Sequence, residues 1–431
     1  MKKLFLLITL SSILLGSKAQ KTDSVYYFTL EQCLEYAFQN SYNRQNMVLD
    51  EEINQIAYKY SKQERLPSLS ASLSEGFSHT GSESGTFNGN LGLNTGITIF
   101  QGGTINNTIK QNKLLSEQSF NKTEQFDNEL TIQILQSFLT VLGYEELLKY
   151  QKQVLTSSEE QLIQGEHLYK AGSILESDYL LLQAQYANDK NSIVDGEINK
   201  ANSLLALKML LSMDPLSELE IIYPDTSAID KMLDLPSKDS VLEQAMSTLP
   251  NIKIAEQNIE MAKLNVKLSK ASYYPSIDLS AGIGTGHIDF SGFGKQLEER
   301  FSQQVTLSLN VPIYNRGKTK SRVRQNEIAL RQAELDYQNT DLNMRQTIVQ
   351  EYQNVESAFS KYEATKVREN AYSKTYEAYR HRYMLGDVTP VDLLQQQNNY
   401  ISALNDYIQA KYGFMLKRKM LDVYMGLEIK M

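Results

Sequence analysis

Two kinds of period alternate along the chain. From Ser68 to Ser78, serine or glycine takes every second position, while Leu69, Ala71, Leu73 and Phe77 take the other face, broken only by Glu75. The pattern returns where Leu91, Leu93, Ile97 and Ile99 oppose Asn90, Gly92, Asn94 and Gly96. It recurs where Ile277, Leu279, Ala281 and Ile283 oppose Ser276, Asp278, Ser280 and Gly282. A fourth run sets Val305, Leu307, Leu309, Val311 and Ile313 against Thr306, Ser308, Asn310 and Pro312. A period of two means a strand with one apolar face and one face of small polar groups. Two hairpins are therefore predicted, over 66–101 and 274–315, with Pro67, Pro275 and Pro312 at strand ends, where a missing N–H is tolerated. Gly102-Gly103 and Gly317 mark the change from strand to helix. Proline-free stretches at about 104–168 and 318–382 predict two very long helices, each roughly 100 Å at ~1.5 Å per residue. Other helices are predicted before the hairpins (about 29–64 and 239–271) and after the long helices (about 174–212 and 389–425). Heptad spacing at Ile328, Leu335, Leu342 and Val349, and at Ile401, Leu404, Ile408 and Met415, predicts packing as coiled coil.

The same phrases occur twice. "LYKAGSILESDYLLLQAQY" (168–186) lies 214 positions before "RYMLGDVTPVDLLQQQNNY" (382–400), so Tyr169 answers Tyr383, Gly172 answers Gly386, and Asp178 answers Asp392. "IFQGGTINNTIKQN" and "IYNRGKTKSRVRQN" keep that offset, and upstream of them it becomes 208. The four histidines form equivalent pairs, His79 with His287 and His167 with His381. The chain thus reads as a duplication, with repeats at 20–212 and 238–431 and a linker at 213–237 where the helical pattern breaks. Residues 1–19 read as an export signal peptide: Lys2 and Lys3, a short apolar core, and small residues ending at Ala19. Removing it carries the net charge from −8 to about −11, which argues against nucleic acid as a partner. The one cysteine, Cys33, allows no intramolecular disulfide and falls on an apolar helix face, as a buried inert thiol would. No later stretch has 18 consecutive apolar residues, so any membrane crossing must use strands.

The apolar bands match the roughly 9–11 residues of a tilted bilayer strand. Aromatic residues bracket them, with Phe100 and Tyr314 at one end and Phe77, Phe87, Phe290 and Phe301 at the other. The set expected to face lipid is Leu69, Leu73, Leu91, Leu93, Ile277, Leu279, Leu307 and Leu309. Soluble hairpins packed on a core are the alternative. Four strands cannot close a barrel, since bilayer barrels need at least about eight, whereas three copies would supply twelve. The expected fold class is α+β: a long coiled-coil helical barrel with a transmembrane antiparallel β-barrel, four strands per protomer and twelve in a trimer.

The signal peptide, the duplicated plan, L-P-x-L opening the first strand, and R-Y-x-x-G-x-x-T-x-x-D-L-L from Arg382 to Leu394 together resemble the TolC-type outer-membrane efflux proteins. The resemblance covers essentially the whole mature chain. It implies a homotrimeric exit duct of a Gram-negative outer membrane, reaching through the periplasm. Its implied partners are outer-membrane lipid, a periplasmic adaptor and an inner-membrane transporter, as in multidrug efflux or type I secretion. It places Gly172 and Gly386 at the turns of the periplasmic tip, with Tyr169 and Thr389 in the adaptor-docking region. It also implies an aspartate gate ring at Asp392 and a latch between Tyr383 and Asp178. The ring is sometimes doubled at the position of Gln395, and a second latch needs arginine where this chain has Val388. The linker would form a belt around the helical waist.

The remaining signals are weak. "GIGTG" (282–286) lies inside a strand with no following helix, unlike a nucleotide loop. His167 and His381 lack companions at metal-ligand spacing, and no catalytic grouping stands out, so neither metal, cofactor nor enzyme activity is expected. Arg316, Lys318, Lys320, Arg322 and Arg324 follow a strand; a solvated helix face and contact with phospholipid headgroups are both open. An exported coiled-coil scaffold is the other functional reading.

Overall fold

The computed structural model describes residues 25–79, 81, 85–223, 235–289, 293–427 and 429. The signal peptide, Phe290 and part of the linker lie outside the described residues.

The short strand β1 (Tyr26–Phe28) leads into α1 (Leu30–Asn40) and α2 (Tyr42–Gln63). Strands β2 (Ser68–Ser78) and β3 (Thr86–Gln101) follow, then the long helix α3 (Thr104–Lys170) and α4 (Glu176–Leu210). After β4 (Leu219–Ile221), the helices α5 (Lys238–Thr248) and α6 (Pro250–Ala271) precede β5 (Ser276–Ile288). The chain closes with α7 (Phe293–Glu299), β6 (Ser302–Asn310), α8 (Lys318–Met384) and α9 (Pro390–Tyr424). α3 and α8 each have 67 residues, α4 and α9 each 35, and α2 and α6 each 22.

Three features differ from the sequence expectation. Each leading helix, expected to be continuous, is broken. Ser41 is extended, ends α1 by donating its N–H to Ala37 and starts α2 by accepting from the Arg44 N–H. Leu249 is extended because the ring of Pro250 disfavours a helical residue before it. Second, the loop of the second hairpin holds α7, anchored by Gln296 on the backbone of Ile288 and by the Thr285 hydroxyl on the Leu297 carbonyl. Third, β1 pairs in parallel with β4, which ties the start of the described chain to the linker.

Strands β2, β3, β5 and β6 form one antiparallel sheet in that order. Its register lines up Leu69, Thr95, Ala281 and Val305 in one row and Ile97, Leu279 and Leu307 in another. The row between them, Ser68, Gly96, Ser280 and Thr306, is polar, and so is the row on the other side of Leu69, with Ser70, Asn94, Gly282 and Gln304. The expected alternation fails at Ile99, where a bulge makes Phe100 the partner of Ile277. β6 also ends at Asn310, so Val311 and Ile313 lie beyond the ladder. One row crosses Gly89, above which Glu75 meets His287 at 3.0 Å; a Cβ on Gly89 would lie 2.2 Å from the imidazole.

Below the sheet the helices pack in the order α2, α3, α6, α8. Side-chain amides pair α3 with α6 at seven-residue steps: Gln111 with Asn265 at 3.0 Å and Gln118 with Asn258 at 2.7 Å. Farther down, α3 packs on α4 and α8 on α9, and α3 meets α9. The main core lies at the waist, where Leu30, Cys33, Ala37, Val241 and Ala245 of the short helices cover Phe138 and Leu142 of α3 and Phe414 of α9. Burial pushes the Cys33 thiol up to about 12, so it stays protonated and inert.

Phe414 is fully buried against Phe359 and Tyr362, with ring centroids at 5.2 and 6.0 Å. Phe414→Ala should cost about 3–5 kcal/mol, read as a lower urea midpoint with unchanged slope.

Candidate functional site

At the tip, two long helices end in one geometry. Gly172 has φ of 73° and Gly386 of 76°. In each turn a 6→1 hydrogen bond closes over the glycine, Ser173 N–H to the Leu168 carbonyl at 2.8 Å and Asp387 N–H to the Arg382 carbonyl at 2.9 Å. Side chains with a Cβ resist this left-handed conformation, which is why glycine recurs there. The Arg382 guanidinium donates to Asp387 at 2.7 Å and lies over Tyr379, bracing the second turn. Tyr169 stacks on Tyr179 at 5.4 Å beside the first. Leu175 and Leu385 project from the two turns and are exposed.

Thr389 caps α9, its hydroxyl accepting from the Asp392 N–H at 3.2 Å and donating to the Asp392 carboxylate at 2.7 Å. Within a protomer Asp392 is thus an exposed helix-start carboxylate held by its own cap. Within the protomer the Tyr383 hydroxyl donates to the Gln161 backbone carbonyl at 3.4 Å, with the Asp178 charge nearby. Tyr383 is buried with Leu182, Tyr376 and Leu393, and its hydroxyl reaches α3 across Gly165, where a Cβ would stand 3.2 Å away. Burial, then the nearby Asp178 charge, pushes the Tyr383 phenol up to about 12. The position expected to carry arginine, Val388, packs against this cluster instead.

The polar centre of the tip lies elsewhere. Asp189 of α4 is buried and accepts from the Ser158 hydroxyl of α3, from Gln185 at 2.8 Å and from Gln397 of α9 at 2.9 Å. Gln397 also donates to Ser158 at 3.0 Å, while its own carbonyl oxygen has no partner. Desolvation raises the Asp189 carboxyl against the lowering effect of those three donors. Gln161 completes the joint by donating to the Tyr376 hydroxyl at 2.9 Å, and Tyr376 stacks on Tyr400. Sequence reasoning missed Ser158 and Asp189, because their meeting depends on which faces the helices turn toward each other. Gln397 lies 214 positions after Gln183, inside the repeated phrase, but the repeat gives no sign of its role.

On the sheet, Leu69, Leu73, Leu91, Leu93, Leu307 and Leu309 are exposed, and Ile277 and Leu279 are half-buried within the sheet. An apolar face this open has no cover in the protomer. Among the described residues no group of His, Cys, Asp and Glu could hold a metal, and no helix is long and apolar enough to cross a membrane.

The sequence pattern of the outer membrane efflux protein family matches residues 37–212 and 241–427, and the chain belongs to that family. It is 21% identical over 317 residues to outer membrane protein TolC of Escherichia coli (strain K12), covering 70% of this chain and 63% of that protein. It is 22% identical over 321 residues to alkaline protease secretion protein AprF of Pseudomonas aeruginosa, covering 73% and 64%. These matches therefore span just under two thirds of both relatives. A crystal structure of CusC superposes with a TM-score of 0.80 at 18% identity, covering 93% of this chain and 92% of that one, which shows a shared fold.

Asp189→Asn removes a buried charge and keeps the shape. Because the folded Asp189 carboxyl is raised above its unfolded value, its protonated form favours folding, and that stability is lost as pH rises through the raised value. The variant should be more stable than wild type at neutral pH and lose the advantage in acid, as thermal melts across pH will show.

Proposed function

We propose that the protein is a passive exit duct of the outer membrane in a Gram-negative cell, a homotrimer whose sheets close a twelve-stranded barrel and whose helices continue it through the periplasm. One observation supports this above the others: the unpartnered surfaces of the protomer match in pairs. β2 and β6 are both edge strands. Beneath β2, α2 exposes Tyr42, Leu49, Ile53, Ile56 and Tyr60; beneath β6, α8 exposes Ile328, Leu335 and Leu342. Both stripes run at heptad spacing, so α2 of one copy fits α8 of the next while β2 pairs with β6. This head-to-tail contact closes into a ring. Unpaired strand edges are untenable in hydrocarbon, so closure and membrane insertion require each other.

The duplicated helix–hairpin–helix plan fits descent from one repeat that supplied two coiled coils to each protomer. On this reading Leu69, Leu73, Leu91, Leu93, Ile277, Leu279, Leu307 and Leu309 face lipid. The tip turns at Gly172 and Gly386, with Tyr169, Thr389 and the projecting Leu175 and Leu385, dock a periplasmic adaptor. An inner-membrane transporter supplies the cargo, and the duct itself catalyses nothing. Threefold symmetry gathers three Asp392 carboxylates at the mouth, a ring that favours cations over anions. Tyr383 and the joint of Ser158, Asp189 and Gln397 hold inner to outer coiled coil behind that ring, with Asp178 acting on Tyr383 through space.

Crosslinked outer-membrane extracts should give a trimer that resists urea extraction, and Asp392→Ala should weaken cation selectivity in planar bilayers while leaving the trimer intact. A monomer that washes off the membrane would favour the exported scaffold instead. The sheet register makes a sharper demand. Leu307→Arg sets a charge against hydrocarbon and should cost roughly 2–4 kcal/mol near the bilayer midplane, seen as failed assembly, whereas Ser308→Arg faces the lumen and should assemble. Equal assembly defects from both would mean that the assigned register of lipid and lumen faces is wrong.

A further inference from the structure

Three helices meet the same end of the sheet with a shared surface chemistry. α2 enters β2, α6 enters β5, and β6 leaves into α8. Within residues 59–65, 263–274 and 316–326 the chain has eleven basic side chains and one acid, Glu64, although acids exceed bases over the whole sequence. Part of this charge is compensated: Lys270 and Arg324 both reach Glu327, at 3.4 and 3.6 Å, and Lys263 reaches Glu260 at 2.5 Å. Lys59, Lys267, Lys318, Lys320 and Arg322 are exposed and make no ion pair with the described residues. Among them stand the exposed rings of Tyr273, Tyr274 and Tyr314, and Ile313 is 92% exposed.

Like charges gathered into one band repel one another unless an anion is shared between them. Exposed tyrosine beside long basic side chains is the composition of a membrane–water boundary, where the ring lies at headgroup depth and the ammonium reaches phosphate. The band also lies at the end of the apolar rows, one helical turn or two beyond the strands.

We propose that this collar binds anionic phospholipids of the periplasmic leaflet, their phosphates held by Lys267, Lys318, Lys320 and Arg322 and their acyl chains lying along the exposed apolar face of the sheet. The proposal rests on the reading that the sheet spans the bilayer. The collar then sets the depth of the barrel: the basic side chains stop at the phosphate plane and the tyrosines just inside it.

The test uses the full chain in nanodiscs that mix phosphatidylcholine with phosphatidylglycerol, followed by native mass spectrometry of the lipids kept on release. Wild type should retain phosphatidylglycerol at roughly five-fold or more above its bilayer share, with the excess falling at high salt. Replacing Lys267, Lys318, Lys320 and Arg322 with Gln should return retention to the bilayer ratio, while Lys267→Arg, Lys318→Arg and Lys320→Arg together should preserve it. Wild-type retention that follows bilayer composition, or undiminished enrichment in the Gln variant, would overturn the collar. Failure of wild type to enter any bilayer would overturn the membrane reading first, and the collar with it.

Discussion

A seam of side chains seven residues apart holds the long helices in place. Five of the buried positions on α8, Ile348, Val355, Tyr362, Tyr376 and Tyr383, form a heptad stripe with the half-buried Glu369 at its one gap, and Thr365 is buried beside it. A 67-residue helix of mixed polarity gains little from helix propensity alone and depends on such a seam for its stability. The upper end of this stripe joins the waist core through Tyr362, stacked on Phe414. Its lower end is Tyr383, whose hydroxyl reaches α3. One stripe therefore connects the stable middle of the molecule to the tip.

Polar contacts set which positions of the seam meet. Apolar packing at heptad spacing tolerates a slip of one heptad, because the same residue types come back into contact. The paired amides recur at the same seven-residue step, so a slip of one heptad would set Gln118 against Asn265, whereas a slip of any other size would leave them without partners. The joint of Ser158, Asp189 and Gln397 also sets which positions meet, nearer the tip and with a charged centre. A buried carboxylate without a cation is costly, and three donors bring the cost down without removing it.

What the sequence determined by itself is local. Alternation of apolar and small polar residues marks strands because side-chain direction reverses at every residue, and all four strands of the sheet were legible from it, as were the proline-free long helices. Gly172 and Gly386 were legible as turns because φ above zero selects for glycine whatever surrounds it. The leading helices read as continuous because their apolar period runs through Ser41 and Leu249, although Pro250 carried the signal of a break. Only the tertiary structure decided what depends on neighbours. Heptads at Ile328, Leu335 and Leu342 look like those at Ile348, Val355 and Tyr362, yet the first set is exposed and the second buried, because packing is decided by which helix lies alongside. Tyr383 reaches the Gln161 carbonyl because Gly165 leaves room there. Asp189 meets Gln397 across 208 residues of chain, a distance over which no spacing rule operates.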